Sequence, residues 1–270
     1  NKSQSNVSKL VLFVLFFSVK TAVKELTIIA TIVLLTFVIL WYPWLSSIDS
    51  TLRVFHRLFP LGRGVFEDKV GNVWCTLNIF YKLRKSISNH KMAFICFGTT
   101  LLTAVPINVH LFFQRSKYTF LLTLFNTACV FFLFSFQVHE KSVLLVALPS
   151  FCLIYWWPTE MLFFLKVSVF SMIPLLRKDN LLVPTAALMI IFRFVFKSWA
   201  FKTDDITISK SYLKMKIGQV SEILMIATSL AFLLIEPPSR FPDTWPLIIS
   251  VISCGYILIF LIWGYTRQFM

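Results

Sequence analysis

The amino-acid sequence predicts an all-α integral membrane protein, a multispan helical bundle with one amphipathic helix lying in the membrane interface. Three observations carry this. Hydrophobic residues make up 57% of the 270 and charged residues 14%, with a mean hydropathy of +0.78, whereas soluble domains hold about 45–50% apolar and about 25% charged residues. Apolar runs of about 17–25 residues, the length that crosses a bilayer, recur along the chain. Aromatics gather at the ends of these runs, as in Trp41-Tyr42-Pro43-Trp44 and at Trp245, where interfacial belts place them. A water-soluble enzyme is excluded because this much apolar surface cannot fit in one core. Disorder is excluded by 30 Phe and 8 Trp. Lys and Arg number 26 against 12 Asp and Glu, a net charge of +14. Such cations must sit outside the hydrocarbon, on headgroups or anionic ligands.

The elements follow in order. Residues 10–19 read as the end of an earlier helix and 26–42 as a spanning segment, so 1–42 form one unit. Residues 43–91 are a long polar loop, and 92–270 a bundle of about seven spanning helices. Those spans are read at 92–113, 119–137, 142–157, 161–176, 181–200, 219–235 and 246–264. The pair around 142–176 is short and shares a Trp156-Trp157-Pro158 turn, so it must borrow flanking residues or thin the bilayer. Lys166, Arg193, Lys197 and Glu222 fall inside spans; all but Arg193 lie near an end and are read as snorkelling, structural charges. The five cysteines have no metal spacing and read as small buried hydrophobes. The chain opens on Asn1 without a signal peptide, so it is expected to be the C-terminal part of a longer protein.

Within the long loop, Phe66, Val70, Val73, Trp74, Leu77, Phe80 and Tyr81 share one helical face. This predicts an amphipathic helix over 66–83 lying in the interface. A spanning reading would instead sink Glu67, Asp68 and Lys69 toward the hydrocarbon, which is costly. With 43–91 kept on one side, the loops 20–25, 114–118, 156–160 and 201–218 and the C-terminus share the other. They carry nine Lys and Arg, against four in the short loops opposite, so positive-inside counting puts them in the cytosol. The eight cations of 43–91 then face away from the cytosol, with His139 and the 236–246 turn. Orientation does not require them there, which points to an anionic ligand.

Three motifs carry the candidate chemistry. In Phe136-Gln137-Val138-His139-Glu140-Lys141-Ser142, ionisable groups fill a tight turn between apolar walls. His139 can hydrogen-bond a phosphate oxygen and Lys141 offers it a point charge; an ordinary polar loop with a snorkelling lysine fits as well. In the run from Arg57 to Lys69, Arg57, Arg63 and Lys69 flank a Pro- and Gly-containing bend. Arginine forks match phosphate oxygens, and helix N-termini favour anions. Glu67 and Asp68 suit a first helical turn simply as dipole partners. Being adjacent, they do not face each other as an acid/base pair. The third motif, Ile235 to Asp243, is a rigid Pro-rich turn.

These residues closely resemble the dolichyl-phosphate-glucose-dependent α-1,3-glucosyltransferases of asparagine-linked glycosylation. The resemblance lies in Arg57-Leu58-Phe59-Pro60-x-x-Arg63-Gly64-x-Phe66-Glu67-Asp68-Lys69-Val70-x-Asn72-x-Trp74-Cys75, in Phe132 through Ser142, and in Pro237-Pro238-x-x-x-Pro242-Asp243. Glu67-Asp68-Lys69 resembles the members adding the first glucose to the nine-mannose lipid-linked oligosaccharide. Members adding the second glucose carry a His-Ala-Tyr type of sequence there. The resemblance implies a GT-C fold in the endoplasmic reticulum membrane with a lumenal interfacial helix, a lumenal active site and a cytosolic C-terminus. It implies dolichyl-phosphate-glucose as lipid donor, a dolichyl-pyrophosphate oligosaccharide as acceptor, inversion at the anomeric carbon, and no further cofactor or metal. It also implies that the general base is an Asp upstream of this chain, so 270 residues alone are expected to lack it. His139 is then the first candidate for the donor phosphate; Arg57, Arg63, Glu67, Asp68, Lys69 and Lys141 are candidates for substrate binding. An inactive remnant is the reading to set beside this one. A secondary transporter would call for inverted repeats and polar-centred broken helices, and no repeat is found. The spread of basic residues over membrane loops gives no nucleic-acid footprint.

Overall fold

The computed structural model describes residues 2–58, 69–202 and 212–270, and their side chains over 19–57, 69–196 and 218–270. Among the described residues the chain is helical: α1 (Lys2–Trp41), α2 (Ile48–Leu58), α3 (Val73–Tyr81), α4 (Leu83–Ser86), α5 (Asn89–Phe113), α6 (Lys117–Phe134), α7 (Val143–Leu153), α8 (Pro158–Ser171), α9 (Ile173–Lys178), α10 (Leu182–Lys202), α11 (Tyr212–Leu234) and α12 (Thr244–Phe269). Among the described residues four stretches are long and apolar enough to cross a membrane: Val19–Trp44, Asn89–Phe113, Lys117–Phe134 and Thr244–Phe269. Leu182–Phe196 and Gly218–Leu234 are shorter apolar helices.

Several boundaries differ from the sequence reading. The loop expected at 20–25 is helical, and α1 runs through it. Lys20-Thr21-Ala22-Val23-Lys24-Glu25 contains no Gly or Pro and mostly good helix formers, so nothing local breaks the helix. The helix expected over 66–83 starts at Val73. Asn72 is extended, and its side-chain oxygen accepts from the Cys75 N–H at 2.8 Å, a side-chain N-cap that fixes the start. Lys82, in the left-handed region at φ 47°, then separates α3 from α4. Residues 66–68 lie outside the described residues. The span read at 142–157 becomes the 11-residue α7, about 16 Å of helix and too short for a bilayer core of about 30 Å. The following span divides at Met172, just ahead of Pro174, into α8 and α9.

Helix α12 is the spine. Its buried Ile249, Ser250, Ser253, Cys254, Ile257, Phe260, Leu261, Gly264 and Gln268 recur at helical spacing on one face. In lipid there is no hydrophobic force between helices, so close approach by small residues and interhelical hydrogen bonds hold the bundle. Gln268 donates to the Ile107 carbonyl on α5 and to Thr123 on α6, each at 2.8 Å, and accepts from Asn126 at 2.8 Å. Gly264 leaves the room for Asn126: a Cβ there would lie 1.9 Å from its Oδ1. The Tyr265 hydroxyl donates to the Thr103 carbonyl of α5, the turn before Pro106, where a proline disturbs the helical ladder.

Contacts group the described segments in the way charge counting did, while residues 203–211 of the 201–218 loop lie outside the described residues. At one end, Arg115 pairs with Glu25 at 2.7 Å, Trp157 donates to the Tyr118 hydroxyl at 3.1 Å, and Arg267 lies 4.1 Å over the Trp157 ring. At the other, Lys69 pairs with Asp243, Lys141 with Asp179 at 3.5 Å, and Arg177 donates to the Phe232 carbonyl at 2.6 Å. The snorkelling expected of Lys166 and Glu222 is replaced by an ion pair between them, across α8 and α11.

Gly264→Ala should cost about 1–3 kcal/mol by overpacking against Asn126. Gly255→Ala, whose Cβ would meet nothing within 4 Å, should change stability by less than about 0.5 kcal/mol. Thermal unfolding of the detergent-solubilised protein compares the two, and equal shifts in Tm would contradict the packing described.

Candidate functional site

The site forms where three chain segments meet at one end of the bundle. The first is the beginning of α3. Ser250 of α12 donates its hydroxyl to the Val70 carbonyl at 2.6 Å. Gly71 lies so close to α12 that a Cβ would sit 3.0 Å from Ser253 Cβ and 3.3 Å from the Ser250 carbonyl oxygen. Val70 and Asn72 are both 1% exposed, so this short non-helical stretch is sunk into the bundle rather than resting upon it.

The second segment follows α6. Its last carbonyl, at Phe134, accepts from the Trp74 indole N–H at 2.8 Å. The Trp74 and Phe134 rings meet edge-on at 6.5 Å. Phe134 and Phe136 pack with Trp74, Met92 and Cys96 into a small apolar cluster. Ser135 is extended, the chain bends at Phe136 and Gln137, and His139 is the extended residue leading into the 3-10 turn Glu140–Ser142. Its carbonyl accepts from Ser142 N–H at 2.9 Å, closing the turn. His139 and Lys141 are exposed and Glu140 is half-buried. Thus an apolar anchor on one side and a closed turn on the other fix the backbone that presents the imidazole.

The third segment is the Pro-rich turn ahead of α12. Asp243 there forms the ion pair with Lys69, and Trp245 donates to the Ile235 carbonyl at 3.0 Å, bracing the turn.

The structure therefore brings together Lys69 with Asp243, Val70 and Gly71 with α12, and Trp74 with the segment leading to His139. Lys141 faces Asp179 instead of Lys69. Arg57 is exposed near the C-terminal end of α2. Arg63, Glu67 and Asp68 lie outside the described residues. Sequence reasoning did not single out Asp179, which ends α9 beside the left-handed Asn180 (φ 57°). Nor did it assign Asp243 a partner, since its partner is 174 positions away. Both lysines thus have a carboxylate that partly offsets their charge. A phosphate entering here would meet lysines already placed, and shared, by aspartates.

Apolar helices that cross a membrane, with the polar motifs gathered at one end, define a polytopic membrane protein with an interfacial site. Residues 6–263 match the model of the ALG6, ALG8 glycosyltransferase family, and the chain belongs to that family. Among its relatives, "Probable dolichyl pyrophosphate Man9GlcNAc2 alpha-1,3-glucosyltransferase" of Drosophila melanogaster is 51% identical over 247 residues, covering 92% of this chain and 51% of that protein. "Dolichyl pyrophosphate Man9GlcNAc2 alpha-1,3-glucosyltransferase" of Mus musculus is 36% identical over 257 residues, covering 87% and 50%. A Schizosaccharomyces pombe protein, named like the Drosophila one, is 34% identical over 265 residues, covering 92% and 50%. The chain spans about half the length of the curated relatives it matches.

The Lys69–Asp243 pair should hold the 69–72 stretch on α12. Lys69→Glu or Asp243→Lys alone should speed proteolysis between α2 and α3, and the double exchange should restore resistance. Exposed pairs contribute only about 0–1 kcal/mol, so the readout is local cleavage rather than Tm. A double exchange no more resistant than the single variants would contradict the pairing.

Proposed function

We propose that this chain is part of an enzyme that transfers glucose from dolichyl-phosphate-glucose to the terminal mannose of dolichyl-pyrophosphate-linked Man9GlcNAc2, making an α-1,3 linkage. The observation that carries the reading is the convergence of the three resembling motifs at one end of the bundle. Membership of the family and the names of the relatives support the acceptor and the reaction. The donor follows from the resemblance of the motifs.

In this reading the mannose hydroxyl attacks the anomeric carbon of glucose. The new C–O bond forms as the bond to the lipid phosphate breaks, so configuration inverts and dolichyl phosphate leaves. The hydroxyl proton passes to a base, an Asp assigned to a region outside these 270 residues. Charge develops on the leaving phosphate, and catalysis needs donors already aimed at it. His139, on a braced extended segment, takes this role. Lys141 and Lys69, with Arg57 and Arg63, supply the positive field for phosphate or pyrophosphate; Glu67 and Asp68 complete the substrate-binding set.

The same reading places the motif-bearing end in the endoplasmic reticulum lumen and the C-terminus in the cytosol. Support comes from the nine Lys and Arg that the sequence reading assigns to the opposite end. Transfer of the first glucose is favoured over the second by Glu67-Asp68-Lys69 and by relatives named for a Man9GlcNAc2 acceptor.

In the full-length protein, His139→Ala should reduce glucose transfer by at least about tenfold while membrane insertion is unchanged. Unaltered transfer would remove the phosphate role from His139. A single cysteine placed at Asn78, in a background with the native cysteines replaced, should react with an impermeant thiol reagent only from the lumenal side of sealed microsomes. Labelling from the cytosolic side would invert the topology and move His139 to the wrong face.

A further inference from the structure

A second site lies between α8–α9, α10 and α11, away from the three motifs. It is a cavity of about 610 Å³, within the size range of small-ligand pockets. Its lining is almost wholly aliphatic and aromatic except for Lys166, Arg193 and Glu222. The placement of these charges is informative. On each wall a charged residue and a leucine ten or eleven positions away both line the cavity: Leu176 after Lys166, Leu182 before Arg193 and Leu233 after Glu222. At about 1.5 Å per residue the α10 and α11 walls run about 16 Å from charge to leucine, and the third wall crosses the break at Met172 between α8 and α9. The three charges share one end and the three leucines the other. The leucines lie beside Arg177, Asp179 and Phe232, at the motif-bearing end of the bundle. The charged layer lies deeper, toward the end that holds Trp157 and Arg267.

Lys166 and Glu222 pair with each other. Among the described residues Arg193 has no acidic partner, so the polar end keeps one net positive charge. An ionised group within a membrane helix is costly unless it finds an opposite charge. A guanidinium binds a phosphate through parallel N–H donors, and an aliphatic slot beside it accepts a hydrocarbon chain.

We propose that this groove is a binding site for a phosphate-bearing membrane lipid, entering from the leaflet opposite the motif-bearing end. Its phosphate binds Arg193 beside the Lys166–Glu222 pair, and one chain lies between α9, α10 and α11 toward Leu176, Leu182 and Leu233. The occupant is an anionic lipid, because the polar end carries a net positive charge and the rest of the wall offers only apolar contact. The proposal does not depend on glucose transfer.

The test uses the full-length protein in phosphatidylcholine vesicles containing a few per cent phosphatidic acid with a photoreactive group in its acyl chain. Crosslinks should map to the cavity-facing parts of α9, α10 and α11. They should exceed those from the matching photoreactive phosphatidylcholine at least fivefold. Arg193→Gln should remove that preference. Ser229→Phe, which fills the groove and keeps all three charges, should lower capture from both lipids. His139→Ala should leave capture unchanged, which separates this site from the glucosyl-transfer reading. Equal capture of the two lipids by the wild type, or a preference that survives Arg193→Gln, would overturn the proposal.

Discussion

Backbone polar groups that leave a helix at membrane depth must find partners, because hydrocarbon offers none. Contacts of the long polar loop meet this constraint at two carbonyls, one its own and one of α6. Val70, just ahead of α3, is satisfied by the Ser250 hydroxyl, and Phe134, where α6 ends, by the Trp74 indole. The first bond ties the loop to α12, the second ties it to the segment that carries His139. Remove them and three stretches distant in sequence lose their common reference frame. Gly71 belongs to the same constraint, since a Cβ there would sit 3.0 Å from Ser253 Cβ and push the chain away from α12.

Charge is arranged around this frame in layers. At the motif-bearing end, lysines from the loops meet aspartates at the starts or ends of helices, Lys69 with Asp243 and Lys141 with Asp179. At the opposite end, Arg115 meets Glu25, and Arg267 rests on the face of Trp157, where an indole offers a cation its negative quadrupole. Between them lie the partly buried Lys166 and Glu222, with the exposed Arg193 lining the same cavity. The net +14 of the chain is thus spread over the two ends and a layer between them.

Composition and run length were enough to read a helical membrane bundle, since the energetic gap between lipid and water is large. The grouping of loops into two ends was legible too, because charge asymmetry and the amphipathic stretch both constrain it. Residue-level placement was less so. Phe66, Val70 and Val73 have helical spacing, yet Asn72 caps the helix and leaves Val70 outside it; local capping prevailed over periodicity. The loop read at 20–25 rested on charged residues alone, which do not break a continuous helix. Asp179, Asp243 and the Lys166–Glu222 pair were invisible because their partners lie far away in sequence. His139 stood out in the sequence as a candidate, whereas the Trp74 contact that ties down the chain ahead of it did not. Arg63, Glu67 and Asp68 lie outside the described residues.

The central claim is that a lipid-phosphate sugar donor binds at the end where the three motifs converge. A photoreactive amino acid placed at Val138, beside His139, and in a separate protein at Trp156, at the far end, tests it directly. With a radiolabelled dolichyl-phosphate-glucose donor in native membranes, the full-length protein should be labelled from position 138 and not from 156. Labelling from 156 with none from 138 would contradict the account.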